Sequence, residues 1–240
     1  MTARRSSFRV KSRDLARRGQ PLHGVIAVMA KAPRPGRVKT RLTPPLSPAA
    51  AARLARCFLI DTLARVRQVQ RARGAVLYAP RTSRRVFRRM AAGFILVPQR
   101  SGDLGRRLAL AFRDLLRLGL GPVVVIGSDV PSLPASVLER AVTTLHDARV
   151  DGVIGPSEDG GYYLIGLRTP SPELFGGIAW STPKVFEQTM TRARAHGLRL
   201  TTLGRCWDVD TPEDLERLRR WALARPRTNL EHTRKFLRAR

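Results

Sequence analysis

The chain has 240 residues, 43% of them hydrophobic, with 45 Lys and Arg against 18 Asp and Glu and a formal charge of +27. That length and apolar content suit one α/β domain with a core of its own, and they exclude a chain disordered throughout. The densest apolar run, Pro122–Ile126, is strand-sized, far short of the ~18 residues a membrane span needs. Cys57 and Cys206 have neither metal-ligand spacing nor a disulfide framework, so they read as core thiols in a reducing compartment.

Residues 1–22 form a basic extension, with seven Lys and Arg against Asp14. The extension lacks the apolar centre of a secretory signal. Its Arg- and Ser-containing composition loosely resembles a transit peptide, but a solvated arm is the expectation, with the cytoplasm as compartment. Gly24–Ala30 then reads as a buried strand. A Pro/Gly/basic loop from Lys31 to Pro45 leads to Ser47-Pro48, an N-cap and first-turn proline. The helix they open carries an inward stripe at Ala52, Ala55, Leu59, Leu63 and Val66. The pattern continues with a strand at Ala75–Tyr78, a short helix at Val86–Met90 and a strand at Phe94–Val97. A third helix has Leu104, Leu108, Ala111, Phe112 and Leu115 on one side.

Pro122–Ile126 is the most strand-like segment and ends at Gly127-Ser128-Asp129. Ser132 and Pro134 open a helix with Val137, Leu138, Ala141 and Leu145 inward. Strands at Gly152–Gly155 and Tyr162–Leu167 flank a glycine-rich turn. A helix at Pro183–Ala195, a strand at Leu198–Leu203 and a last helix follow. The last is opened by Thr211, Pro212 and Asp214, and Leu215, Leu218 and Ala222 face inward. Alternation of this kind predicts a three-layer α/β fold with a mainly parallel mixed sheet. It gives one domain over residues 23–224, followed by a basic tail over 225–240.

A pI near 11.8 raises nucleic acid as a partner. No helix-turn-helix, zinc finger or aromatic-interleaved platform accompanies the charge, and aromatics make up only 6% of the chain. Weak, salt-sensitive polyanion binding is expected, without specific nucleic-acid recognition.

In open α/β sheets ligands bind beyond the carboxyl ends of the strands, where several unusual segments fall. The first loop carries Lys31, Arg34, Arg37, Lys39 and Arg41. These side chains suit a polyphosphate, although the P-loop spacing is absent. Asp129, at the tip of the central strand, suits a Mg²⁺ or Mn²⁺ ion shared with substrate phosphates, or else caps the next helix. Asp208 and Asp210 stand two apart on an extended segment and share one face. One of them could complete the metal site with Asp129, or Asp210 could cap the last helix. In Glu158-Asp159-Gly160-Gly161-Tyr162 the glycines allow close approach to a ligand or a tight turn. Asp159 is the candidate for binding or deprotonating an acceptor hydroxyl, with Gly160, Gly161 and Tyr162 around that acceptor. Asp103 could be an N-cap, and the four histidines show no ligand spacing.

Four ordered motifs carry a family resemblance: Ala30–Leu42, Gly127–Pro131, Asp159–Gly166 and Asp208–Leu215. They resemble the bacterial glycosyltransferase-A-type (GT-A) proteins long grouped as a domain of unknown function, some of them named arsenosugar-biosynthesis glycosyltransferases. More distantly they are similar to 2-phospho-lactate guanylyltransferases and molybdenum-cofactor nucleotidyltransferases. The resemblance implies a Rossmann-like GT-A fold and a metal-dependent transferase using a nucleotide diphospho-sugar and a small-molecule acceptor. It implies Lys31, Lys39 and Arg41 on the nucleotide phosphates and Asp129 with Asp210 on the metal; Arg37 and Ser128 join the expected phosphate set, and Asp208 the metal set, from their places beside these residues. Many GT-A glycosyltransferases place Asp-x-Asp after the central strand, whereas Ser128-Asp129-Val130-Pro131 offers one carboxylate. Nucleotidyl transfer with release of pyrophosphate is therefore carried as the second expectation. A non-catalytic polyanion-binding protein is the third.

Overall fold

The structure, a computed structural model, describes residues 24–225 and 228–239; the expected N-terminal extension lies outside them. Seven strands form one sheet: β1 (Val25–Lys31), β2 (Arg73–Ala79), β3 (Ile95–Pro98), β4 (Val123–Gly127), β5 (Gly152–Pro156), β6 (Tyr162–Leu167) and β7 (Leu200–Thr202). Their order is β3-β2-β1-β4-β6-β5-β7. Only β6 runs antiparallel to its neighbours, pairing Val125 with Ile165 on one side and Ile154 with Ile165 on the other. The expected mainly parallel mixed sheet is thus present. Chain order reverses between β1 and β4, the point where such sheets open a crevice.

Helices α1 (Pro48–Gln68), α2 (Arg84–Met90) and α4 (Ala135–Thr144) cover one face through Leu59, Leu63, Phe87, Leu138 and Val142. Helices α3 (Leu104–Leu116) and α5 (Val185–Ala195) cover the other through Leu108, Phe112, Leu115 and Ala193. The strands are buried on both sides, which accounts for their β-branched, non-alternating runs such as Val123-Val124-Val125-Ile126. Helix starts follow the sequence signals. Ser47 accepts from Ala50 N–H, Asp103 from Arg106 N–H, and Thr211 and Asp214 form a capping box at the head of α6 (Pro212–Leu223). The helix α4, by contrast, begins at Pro134 with no side-chain cap.

Two expectations change. First, α1 buries a second stripe, Ala50, Leu54 and Phe58, in a separate cluster with Leu42, Val209, Leu218 and Ala222. A helix with sheet on one side and further helices on the other needs apolar residues on both. Second, the segment expected as a C-terminal basic tail contains a helix, α7 (Glu231–Arg238), packed on α1 through Leu230 and Leu237. No residue of its own caps α7. Instead Asp61, buried on α1, accepts from His232 N–H at 3.1 Å and Thr233 N–H at 2.9 Å. One turn along, Arg65 is equally buried and donates to Pro131 O at 2.7 Å. Burial pushes its guanidinium down to about 10, and Asp61 opposes that shift.

Replacing Asp61 therefore orphans the buried N–H of Thr233 and the part-buried N–H of His232, and removes a counter-charge from a buried arginine. Asp61→Ala should cost roughly 3 kcal/mol in denaturant unfolding. Limited proteolysis should then cut before residue 231 well before the rest of the domain.

Candidate active site

The loop after β1 turns over the sheet and ends in a single 3₁₀ turn, Thr40–Leu42. Lys39, just before it, has left-handed backbone (φ 50°, ψ 39°), and its side chain is 4% exposed. The ammonium donates to Val209 O at 2.7 Å and to Asp210 Oδ1 at 2.9 Å, and lies 3.0 Å from Asp129 Oδ1. An ammonium has three N–H donors, so these acceptors use them all. Burial alone would lower its pKa, but Asp129 and Asp210 outweigh that and hold it above its ordinary value. The Phe58 ring lies 5.6 Å away on its apolar side.

Two backbone features deliver the carboxylates. Asp129 follows the tip of β4. The extended segment Cys206–Asp210 is laid beside it by Val209 N–H donating to Asp129 O at 3.0 Å, and beside β5 by the Ser157–Cys206 bridge. Neither carboxylate caps a helix, since α4 starts at Pro134 and Thr211 caps α6. Because one ammonium touches both, their Oδ1 atoms are no farther apart than those two contacts combined. Their side chains remain 47% and 42% exposed.

Around them lies a cleft of about 580 Å³ at the carboxyl ends of β1 and β4, a size that accommodates a small organic ligand. It is lined by Lys31, Arg37, Lys39, Ser128, Asp129, Tyr162 and Asp210 among the residues expected from sequence. Ser128 donates to Asp129 Oδ1 at 3.3 Å. Arg41 is exposed and lies outside the lining.

Asp208, Asp159, Gly160 and Gly161 also stand outside the lining. Asp208 accepts from Ser157 Oγ at 3.0 Å. Burial, with Asp159 and Asp210 nearby, pushes its carboxyl above the usual range. Asp159 accepts from Gly161 N–H at 2.9 Å. Gly160 has φ +86°, and a Cβ there would meet Pro183 O at 2.1 Å. It therefore serves a turn packed against the start of α5. The Tyr162 ring packs edge-on to Trp180 at 6.4 Å, and burial holds its phenol well above the usual range.

Sequence reasoning missed Gln99, Leu104, Arg107 and Ser181, all of which line the cleft. Gln99 Nε2 donates to Leu77 O at 2.7 Å and Ala30 O at 3.3 Å, bridging the ends of β2 and β1. Leu104, expected inward, is 41% exposed. It stands on the first turn of α3, where the helix leaves the sheet. Arg107 Nε donates to Gly102 O at 2.8 Å. Ser181 (φ 63°) and Lys39 are the non-glycine residues with left-handed backbone among those described, and both line the cleft. Such conformations gather at functional sites.

No group of three or more His, Cys, Asp or Glu side chains arranged to hold an ion occurs among the described residues. Asp129 and Asp210 nonetheless fit a hard divalent cation of the magnesium type. That ion uses one or two carboxylates and completes its shell with substrate phosphate oxygens and water. Both carboxylates keep surface open to the cleft mouth.

An α/β sheet with a basic loop and two converging carboxylates at its switch point defines a nucleotide-handling transferase fold, and the comparisons agree. A crystal structure from Desulfovibrio desulfuricans G20, described as a candidate nucleotide-diphospho-sugar transferase, is 31% identical with TM-score 0.81, covering 90% of this chain and 97% of that one. CMP:2-keto-3-deoxy-manno-octonic acid synthetase, solved with CTP, shares the fold at 14% identity and TM-score 0.56, covering 85% of this chain and 99% of that one. A nucleotidyl transferase from Methanothermobacter thermautotrophicus does so at 16% and 0.55, covering 83% and 98%. No curated protein matches the chain. The model of the DUF2064 family, described as uncharacterised proteins conserved in bacteria, matches residues 62–182, half of the chain. The chain belongs to that family. The match spans Asp129 and Asp159 but not Lys39 or Asp210.

Two substitutions test the electrostatics. Lys39→Met leaves two neighbouring carboxylates without their shared cation and should cost roughly 2 kcal/mol at neutral pH, moderated by their exposure. Asp208→Asn should do the opposite. A carboxyl whose folded pKa is raised destabilises the fold when ionised, and the penalty is relieved as pH falls through that pKa. Its melting temperature should rise at pH 7, and the gain should shrink as pH is lowered toward 3.

Proposed function

We propose that the protein is a metal-dependent glycosyltransferase that takes a nucleotide diphospho-sugar and a small-molecule acceptor in the cytoplasm. The side-by-side placement of Asp129 and Asp210 about the Lys39 ammonium, with part of each carboxylate open to the cleft, carries this reading. The likeness to the Desulfovibrio protein supports it. Arg37, Lys31 and Arg107 line the cleft, and their donors suit the oxygens of a diphosphate. Lys39 acts one step back: it holds the two carboxylates side by side so that they need not move to share a ligand. Asp129 and Asp210 would hold Mg²⁺ or Mn²⁺, which when bound would neutralise charge developing on the departing nucleotide. Ser128 orients Asp129 through its 3.3 Å hydrogen bond. Leu104 and the Tyr162 ring give the cleft apolar wall. Asp159, in the turn with Gly160 and Gly161 just before Tyr162 of the lining, would hold or deprotonate an acceptor hydroxyl.

The single carboxylate at the β4 tip favours a second reading, nucleotidyl transfer from an NTP. Products separate the two. Purified protein should be incubated with nucleoside triphosphates and nucleotide diphospho-sugars, each with and without Mg²⁺ or Mn²⁺. Metal-dependent release of nucleoside diphosphate from the sugar donor is the expected result, lowered on the order of 10²-fold or more in Asp129→Asn. Pyrophosphate released from a triphosphate, with no sugar-donor turnover, would install the second reading. Bound ligand at ~100 times its dissociation constant adds about 2.7 kcal/mol of stability, so a melting panel identifies the base. No shift and no turnover with any nucleotide would remove both readings.

A further inference from the structure

Charge is divided very unevenly along the folded chain. Between Gly24 and Gly102 stand 17 Lys and Arg against one acidic residue, Asp61, and Asp61 is buried beneath α7. From Asp103 to Arg225 the numbers are 16 and 15. Arginines of this second part find carboxylates: Arg113 pairs with Asp114, Arg149 with Asp147, Arg199 with Asp151 and Arg217 with Glu158. Five of the seventeen stand within nine residues, on α2 and the turn before it. Arg81, Arg84, Arg85, Arg88 and Arg89 are all exposed, and none makes an ion pair among the described residues.

The geometry of α2 sharpens the patch. Phe87 is fully buried and packs on Tyr78 with ring centroids 5.5 Å apart, which pins the helix to the sheet. With Phe87 inward, a helical period puts Arg85 and Arg89 on the outer side and Arg88 and Val86 on its flanks. Val86 is 39% exposed, one of three large apolar side chains so exposed among the described residues. Arg34 of the loop after β1 donates to Ser83 Oγ at 3.3 Å, so the patch adjoins the basic loop that also supplies Lys31 and Arg37 to the cleft.

We propose that this α2 face docks the protein on an anionic bilayer surface, the arginines against lipid phosphates and Val86 at the level of the headgroups. Arginine around an exposed aliphatic side chain suits that interface. No aromatic or amide side chain stands exposed on α2 to stack on or read a base, as a nucleic-acid surface would require.

Sedimentation of the full chain with vesicles tests this, using phosphatidylcholine alone and phosphatidylcholine with about one-third phosphatidylserine. Binding should require phosphatidylserine and weaken as salt is raised. Each arginine removed should lower it about fivefold, so R84Q/R85Q/R88Q/R89Q should lose more than a hundredfold, and Val86→Ala should lose a smaller factor. The charge-matched variant R117Q/R140Q/R194Q/R220Q should lose much less. Equal melting temperatures would establish that both variants fold. Undiminished binding of the α2 variant, or equal losses in the two variants, would overturn the proposal. So would tighter binding to a DNA duplex than to the vesicles at the same salt, together with no effect of Val86→Ala. None of these readouts depends on the transferase activity.

Discussion

One buried ammonium carries the arrangement of the cleft. Moving a lysine out of water costs several kcal/mol unless opposite charge and hydrogen-bond acceptors replace the lost solvent. Lys39 finds both, in Asp129, Asp210 and the Val209 carbonyl. Those groups belong to three separate parts of the chain: the loop after β1, the tip of β4, and the extended segment before α6. An unpartnered lysine could not stay in that place, and two adjacent carboxylates without it would repel. The three segments are therefore held together by a mutual requirement, reinforced by the backbone hydrogen bond from Val209 to Asp129.

The same interaction leaves the site usable. The ammonium is nearly sealed, whereas its two carboxylates keep almost half of their side-chain surface. Lys39 therefore fixes one oxygen of each and leaves the remainder toward the mouth. A ligand cation arriving there meets carboxylates already side by side, so little reorganisation opposes binding. Asp208 differs from both. It lies two residues from Asp210, but its hydrogen bond runs to Ser157, and burial among other acids disfavours its charge. Shared direction along an extended segment did not give Asp208 and Asp210 the same partner.

Much of this was legible from residues alone because the signals are local. β-branched runs mark strands covered on both faces, and Ser47, Asp103 and Thr211 cap the helices they precede. The carboxylates Asp129 and Asp210 were legible because they follow such elements directly. What escaped depends on distant groups. Nothing near Gln99 in sequence tells that its amide spans the ends of two strands. Left-handed backbone at Lys39 and Ser181 is not announced by either residue type. Lys39 looked like the other cations of its loop, and only its position over Phe58 and between two acids sets it apart. Helix α7 was hidden by its basic composition, since its N-terminal hydrogen bonds are made by Asp61 on another helix.

The division of charge gives the cleft a further meaning. β1 comes from the basic part of the chain and β4 from the nearly neutral part that holds most of the acids. Their carboxyl ends form the switch point of the sheet, so the cleft lies on the seam between the two. Cations reach it from one side as Lys31, Arg37 and Lys39, and carboxylates from the other as Asp129 and Asp210. A purely basic pocket would hold any polyanion, and a purely acidic one would hold cations alone. At the seam both charges are within reach of one ligand. The excess positive charge beyond the seam is not consumed by that chemistry. It remains on the outer surface, most densely on α2, where desolvation is small and repulsion among arginines is eased by solvent.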